Sequence, residues 1–423
     1  MLIPWFVLIL EGICASLFSE NLPENNSTFC MIIIFINLIA VVVAIIKQGK
    51  DKNTTLIMLG GLMFRVFLLL WDLNFSDVYR LPNSGLDTES YALWARSGFL
   101  TGDYMRGGMY ARFIAFWYRF FGVQRPIAQY INIVLAISAI IVVIKIMNYL
   151  EVDDIIQKTA IMLMSFLPNF SITNSILLRE TLIVFLLSVG TYAFVRWIYE
   201  NNFLYILASI FVVCLAASVH SGAIAILLGE AMIFVLYDRR NHSIRLHLGS
   251  VVGVVIVVIG FIVIYSQFGD VLFGKFQGIE SAADVVGTAD KYNAGSSSYD
   301  AGFTINNSIT SLIVNTPIRM FYFVASPLPW DWRGLSDIIA FCFSSTVFIY
   351  AYTRAIKEIR ISESSDRKTL IILFTILALS SALIFAWGVS NAGTAVRHRE
   401  KFMAIYIVLV ALCNDNRCKR MAE

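Results

Sequence analysis

The chain has 423 residues, of which 58% are hydrophobic and only 14% are charged. Soluble domains carry roughly 25% charged residues, so this composition and a mean hydropathy of +0.74 exclude a soluble globular protein. They predict an all-α polytopic membrane protein. The formal net charge of +3 is too small to indicate a nucleic-acid partner.

Twelve apolar segments are candidate transmembrane helices, since a span needs about 20 predominantly apolar residues. They are 2–18, 30–46, 55–71, 127–147, 158–173, 176–197, 203–219, 221–237, 248–266, 336–354, 369–388 and 401–413. The first contains Glu11 and has no basic n-region, so we interpret it as a span rather than a signal peptide. The six cysteines have neither metal-ligand nor disulfide-framework spacing, and we expect neither a metal nor a cofactor.

Lysine and arginine concentrate in four connections, which the positive-inside rule assigns to the cytoplasm. With twelve spans, all four fall on one side together with both termini, so the topology is self-consistent. The residues are Lys47, Lys50, Lys52, Arg239, Arg240, Arg245, Arg354, Lys357, Arg360, Arg367, Lys368, Arg417, Lys419 and Arg420.

The opposite side then receives three connections of one integral membrane domain that covers residues 1–423. These are a first loop over 72–126, a large loop over 267–335 and a short hairpin over 389–400. The first two are too long for simple connections, and long loops in compact proteins are usually functional. The first is predicted to contain an interfacial helix at 113–121, and the second an interfacial or re-entrant helix at 305–325.

The first loop contains Asp87, Tyr91 and Trp94 at three- and four-residue spacing, so these side chains share a face if the segment is helical. A carboxylate beside aromatic rings is a common way to bind a sugar. Asp87 is therefore a candidate catalytic base, and Tyr91 and Trp94 are candidate sugar-binding residues. The alternative is an ordinary amphipathic helix that has Asp87 at or near its N-cap.

Two further ionisable sites lie in apolar surroundings. Arg179 and Glu180 are adjacent near the extracytoplasmic end of a predicted span, where charge indicates function, although an ion pair to another helix would also explain it. Side chains at i and i+1 point about 100° apart, so these two cannot simply satisfy each other. His220, at a turn between two spans, is a candidate proton acceptor or phosphate ligand, or a hydrogen-bonded turn residue.

The large loop and the hairpin add cationic residues. Arg319 interrupts an apolar stretch, and Trp330 follows two prolines as a candidate sugar contact or a simple interface anchor. The hairpin carries Arg397, His398 and Arg399 on the side where positive charge is normally scarce. Guanidinium and imidazole groups bind phosphate, whereas ordinary snorkelling to the interface is the alternative.

Several short motifs resemble known membrane glycosyltransferases. The acidic first-loop motif Gly85-Leu-Asp-Thr-Glu89 is similar to the GT-C class. The Leu-Leu-Arg-Glu-Thr-Leu run, the Pro-Leu-Pro-Trp stretch and the Gly-Thr-Ala-Val-Arg-His-Arg hairpin resemble bacterial O-antigen or capsule polymerases of the Wzy type. This resemblance implies that Arg397 and Arg399 hold a lipid diphosphate, with Arg179 and Arg319 as helpers. His398 is a further candidate phosphate ligand because of its imidazole.

The resulting hypothesis is a metal-independent polymerase of polyprenyl-diphosphate-linked oligosaccharides in a bacterial inner membrane. Membrane lipids, a flippase and a chain-length regulator are its expected partners. Asp87, Glu180 and His220 remain alternative bases, and the charged groups are expected to line one outward cavity. The alternatives are a transferase that uses a polyprenyl-phosphate sugar, a transporter or flippase of lipid-linked sugars, and a non-catalytic assembly partner.

Overall fold

The computed structural model describes residues 2–19, 22–102, 107–238, 241–246, 248–273, 309–362 and 365–415. This part of the chain is almost entirely helical, as predicted; its strands are one antiparallel pair, β1 Tyr237–Asp238 and β2 Ser243–Ile244. The first nine α-helices are α1 Leu2–Ser16, α2 Ser27–Gln48, α3 Lys52–Asn74, α4 Leu86–Thr101, α5 Gly108–Phe121, α6 Arg125–Tyr149, α7 Asp154–Phe166, α8 Pro168–Thr173 and α9 Glu180–Glu200. The others are α10 Phe203–Val219, α11 Ala225–Leu236, α12 Leu248–Phe273, α13 Ile309–Ala325, α14 Leu335–Ile339, α15 Thr346–Ile361, α16 Ser365–Gly388, α17 Ala392–Glu400 and α18 Met403–Asn414.

In the described residues, seven helices are long and apolar enough to cross a membrane. They are Ser27–Gln48, Lys52–Asn74, Arg125–Tyr149, Glu180–Glu200, Gly249–Gly269, Leu335–Ile361 and Asp366–Gly388, and each overlaps a predicted span. Shorter apolar helices at Leu2–Ser16, Phe203–Val219, Ser221–Leu236 and Met403–Asn414 cover four more. The count of twelve spans and their orientation stay predictions.

The apolar run from 158 to 197 is more interrupted than the sequence indicates. Helix α7 ends at Phe166, and Pro168 opens α8, because proline lacks the N–H that a helix interior needs and suits the first turn. Helix α8 then ends at Thr173, and residues 174–179 are not helical. The predicted span 176–197 therefore begins as a helix only at Glu180.

The chain divides into two compact units. The first comprises Met1–Ile144 and Ile161–Phe185. Within it, α4 packs against α5, and α1 packs against α2 and α5. Residues 127–144 of α6 are all buried, so the polar side chains in this stretch need partners inside the protein.

The second unit comprises Lys145–Ala160 and Leu186–Glu423. Helix α16 is its central element, since α11, α13, α15 and α18 all pack against it. The predicted hairpin 389–400 is the helix α17, which also packs against α13 and α16. The Asn391 side chain caps it by accepting the Thr394 N–H at 3.1 Å, as expected for an N-cap asparagine. Residues 274–308 of the predicted large loop lie outside the described part.

Candidate functional site

In the first unit, the break between α8 and α9 is held by two amide side chains of α6. Gln129 Nε2 donates to the Ser175 carbonyl (2.8 Å), and Asn132 Nδ2 donates to the Ile176 and Leu178 carbonyls (2.8 and 3.0 Å). Irregular backbone at membrane depth is tolerated where the protein satisfies its polar groups. These bonds therefore allow a non-helical loop inside an apolar run, and they place Arg179 and Glu180 at its end.

Four of the predicted site residues meet at this break. The Arg179 guanidinium carbon lies 5.9 Å from the centre of the Tyr91 ring, which contacts Trp94 edge-on at 5.5 Å. Arg179 Nε lies 4.0 Å from Glu180 Oε1, too far for a hydrogen bond, as expected for neighbours that cannot simply satisfy each other. We call Tyr91, Trp94, Tyr110, Arg179 and Glu180 the helix-break cluster.

Tyr110 belongs to this cluster although the sequence offered no reason to select it. Its ring contacts Tyr91 edge-on at 5.0 Å, and its hydroxyl exchanges hydrogen bonds with Asn132 (3.0 and 3.3 Å). Burial raises the pKa of Tyr110 well above its ordinary value; the Asn132 hydrogen bond opposes this, and Tyr91 and Glu180 raise it further. Tyr110 is therefore a neutral phenol.

Asn174 adds binding capacity to the same loop. It is fully buried, and within the described residues neither atom of its side-chain amide has a hydrogen-bond partner. Buried amides are normally satisfied by protein, water or ligand. The break can therefore accept a polar group in addition to the contacts described above.

Asp87 occupies a different environment from Glu180. The segment is helical, as the shared-face prediction required, and its N-cap is Gly85. Asp87 lies exposed in the first turn of α4, whereas Glu180 is 1% exposed. Both carboxylates lie in a first helical turn, where the helix dipole stabilises them. The exposure of Asp87 makes the capping alternative sufficient to explain it, whereas the burial of Glu180 needs a further reason.

The second unit contains a cluster of His220, Phe385, His398 and Lys401, which we call the histidine cluster. The two imidazole rings lie 5.0 Å apart at 68°, and the Phe385 ring contacts both, at 5.7 and 5.0 Å. Lys401 Nζ lies 2.9 Å from His398 Nδ1 and 5.6 Å from the centre of the Phe385 ring. Lys401 is completely buried.

Backbone contacts determine the tautomer of His220. The Gly222 N–H donates to His220 Nδ1 at 3.1 Å, so a neutral ring carries its proton on Nε2. The remaining edge of His220 is then a hydrogen-bond donor, a better arrangement for binding an anion than for abstracting a proton. An ammonium has no acceptor, so a charged Lys401 donates to His398.

Gly222→Ala is expected to destabilise the second unit by roughly 1–3 kcal/mol, because an added Cβ would overlap the Phe385 ring and approach His220. Gly388→Ala is the matched control in the same unit, since nothing lies within 4 Å of the Cβ position there. Thermal unfolding of the purified variants tests this expectation. Equal melting temperatures for the two variants would contradict it.

The basic side chains of α17 point in different directions, since successive residues of a helix are about 100° apart. Arg399 is completely buried. Its Nη1 donates to the carbonyls of Phe323, Val324 and Ser326, and its Nη2 donates to the hydroxyls of Ser344 and Ser345. Arg399 thus links the C-terminal end of α13 to the start of α15. Arg397, two residues earlier on the same helix, is only half-buried.

Arg319 is buried in α13 and faces α16. It lies between two contacts that join these helices: Trp387 Nε1 donates to Thr316 Oγ1 at 2.8 Å, and the Phe323 ring stacks on Phe385 at 5.6 Å. Arg319 Nε and Nη1 have no hydrogen-bond partner within the described part of the chain. A buried guanidinium in this state has donors to offer an anion.

The site residues predicted from the sequence therefore form two separate groups, and the others belong to neither. Tyr91, Trp94, Arg179 and Glu180 meet in the first unit, and His220 meets His398 in the second. Trp330 is 70% exposed in the 3-10 turn Pro329–Asp331, so the anchoring alternative still explains it. One common outward cavity stays a prediction.

Residues missed by the sequence reasoning mainly hold these clusters in place. Gln129 and Asn132 are polar residues inside the apolar run 127–147. Their three-residue spacing places them on one helix face, and this was the sequence signal for a buried polar contact. Phe385 carried no such signal, because an apolar aromatic in an apolar helix is unremarkable. Among the described residues, no group of three His, Cys, Asp or Glu side chains could hold a metal ion.

No protein-family model, curated protein or solved structure matches the chain. The described residues form an all-α structure with several helices that could cross a membrane, as in a multi-pass membrane protein.

Proposed function

We propose that this chain is a membrane glycosyltransferase that joins oligosaccharide repeat units carried on polyprenyl diphosphate, at the extracytoplasmic face of a bacterial inner membrane. One observation carries the proposal. At the helix break, the Arg179 guanidinium lies beside both the buried Glu180 carboxylate and the Tyr91 ring. These groups suit a phosphate, a hydroxyl proton and a sugar ring respectively.

In the proposed reaction, Glu180 takes the proton from a hydroxyl of the acceptor sugar. The resulting oxygen attacks the anomeric carbon of the lipid-linked donor and forms the new glycosidic bond. The bond from that carbon to the diphosphate breaks, and polyprenyl diphosphate leaves with the electron pair. Arg179 stabilises its developing charge, the Tyr91 and Trp94 rings contact the sugar, and the proton passes to the diphosphate.

The second unit, taken by itself, contains groups suited to bind a lipid phosphate. Arg319 has buried donors without partners in the described residues, and His220 presents a donor edge. We assign phosphate contacts to Arg319, Arg397 and His398. Arg399 donates to five protein oxygens, so we assign it the role of positioning α13, which carries Arg319.

Incubation of the purified protein, in lipid nanodiscs, with a polyprenyl-diphosphate-linked oligosaccharide tests the proposal. We expect a ladder of products that differ by one repeat unit. Stepwise addition of single sugars from a polyprenyl-phosphate donor would instead identify a transferase of the other GT-C type. The absence of any extension with either donor would overturn the proposal.

A transporter of lipid-linked sugars is a second candidate, because one observation favours it specifically. Helices broken at a ligand site are typical of secondary transporters, and residues 174–179 interrupt an apolar helix in this way. Reconstitution into liposomes separates the two functions. Movement of an intact lipid-linked oligosaccharide between leaflets, without extension, identifies the transporter.

A further inference from the structure

Glu230 lies outside both clusters, on the apolar helix α11, and is 3% exposed. The rest of α11 is Ala, Ile, Leu, Gly, Met, Phe and Val. Ionised side chains are costly in such surroundings, and an ionisable residue within apolar membrane helices is by default a candidate functional site. The protonation state of Glu230 therefore decides whether its burial is costly.

The two short contacts of Ser209 indicate the protonation state of Glu230. Ser209 Oγ lies 2.9 Å from the Gly190 carbonyl oxygen and 2.5 Å from Glu230 Oε1. Two oxygen–oxygen contacts this short each need a proton between the atoms. Serine has one hydroxyl proton and a backbone carbonyl has none. When Ser209 donates to Gly190, the second proton must come from a neutral Glu230.

The surroundings of Glu230 offer little to hold a carboxylate. Within the described residues, Glu230 Oε2 is buried without a hydrogen-bond partner, and Glu230 forms no ion pair. The described ionisable side chains of the surrounding helices are Glu180, Tyr192, Arg196, Tyr199 and Glu200 on α9, Tyr205 and Cys214 on α10, Tyr265 on α12, and Asp366, Arg367 and Lys368 at the start of α16. Of these, Cys214 interacts electrostatically with Glu230, and Arg196 is paired with Glu200.

We propose that Glu230 is a proton-binding site inside the apolar helices of the second unit. It is a neutral carboxylic acid at pH 7 that donates to Ser209 and so links α11, through α10, to α9. This inference does not rest on the proposed function. It also makes Glu230 a modification site for a hydrophobic carbodiimide, a reagent that reacts with protonated carboxyls in apolar surroundings.

In that modification, the acid proton moves to a nitrogen of the carbodiimide, and the carboxylate oxygen bonds to its central carbon. Rearrangement to an N-acylurea retains every atom of both reactants. Glu358 is the internal control, because its carboxylate is similarly buried but pairs with Arg354 and Arg367 at 3.0 Å each. Those two cations keep it ionised.

Treatment of the full-length protein in membrane vesicles at pH 7 with dicyclohexylcarbodiimide, followed by peptide mass spectrometry, tests the proposal. We expect the adduct on Glu230 and none on Glu358. An adduct on Glu358 in place of Glu230 would overturn the proposal.

Infrared spectroscopy provides a test that needs no access for a reagent. The wild type minus Glu230→Gln difference spectrum should contain the carbonyl stretch of a protonated acid, and the wild type minus Glu358→Gln spectrum should contain carboxylate bands. The glutamine amide can donate to Ser209 as the acid does, so the Glu230→Gln variant retains the link between helices. Carboxylate bands lost from both variants would show that Glu230 is ionised and would end the proposal.

Discussion

Glu180→Gln is expected to reduce chain extension by roughly 10²–10⁴-fold, the usual contribution of a general base. Glutamine is nearly the same size as glutamate but cannot accept the hydroxyl proton. Glu180 is 1% exposed, at the first residue of α9, and the α6 amides that hold the helix break are unchanged in the variant. The loss should therefore appear in the rate of extension, measured from the product ladder, while the melting temperature stays near that of the wild type.

Glu24→Gln is the matched control for this substitution. Glu24 belongs to the same unit and pairs with Arg96 at 2.8 Å, but both side chains are almost half exposed. Exposed ion pairs contribute little to stability, and Glu24 lies outside the helix-break cluster. Wild-type extension by the Glu180→Gln protein would remove Glu180 from the mechanism and would leave Asp87 and His220 as the remaining candidate bases.

Apolar composition was enough to predict most of the helices. The run Ile32–Ala44, for example, contains a single polar residue, Asn37, and it lies within α2. A long apolar segment has few alternatives to a helix in a membrane, because the backbone must satisfy its own hydrogen bonds. Local composition therefore decides such elements, and tertiary contacts are not needed to find them.

The helix break was not predictable in the same way. Residues 176–178 are Ile, Leu and Leu, which favour a helix as strongly as their neighbours do. They are non-helical because Asn132, more than 40 positions earlier, donates to the carbonyls of Ile176 and Leu178, while Gln129 holds the adjacent Ser175 carbonyl. The adjacency of Arg179 and Glu180 was visible in the sequence, whereas their meeting with Tyr91 depends on the packing of α4 and α5 in the first unit.

The basic segment illustrates a different limit. The sequence predicts one phosphate-binding group at Arg397, His398 and Arg399, because these cations lie on the side where positive charge is normally scarce. In a helix, consecutive side chains point in different directions. Arg399 therefore binds the end of α13, whereas His398 belongs to the histidine cluster. The Asn391 N-cap followed by a short polar run was the local signal for α17.

Arg399→Ala is expected to lower the stability of the protein by roughly 3–5 kcal/mol, since it leaves buried polar groups without their donor and creates a cavity. The carbonyls of Val324 and Ser326 and the hydroxyl of Ser345 lose a buried guanidinium that now lies 2.5–2.9 Å away. Arg399→Lys should recover part of the loss, because an ammonium has three donors but lacks the planar fork that reaches both groups. Thermal unfolding in detergent measures both effects.

Arg397→Ala is expected to impair lipid-phosphate binding without the loss of stability expected for Arg399→Ala on the same helix. Arg397 is half-buried, two residues before Arg399, so its truncation should change the melting temperature little. If Arg397 holds the lipid phosphate, the variant should lose chain extension while remaining folded, with a raised KM for the lipid-linked donor where binding is the main role. A protein that unfolds like Arg399→Ala would make Arg397 a structural residue. One that extends chains normally would leave Arg319 and His398 as the phosphate ligands to test next.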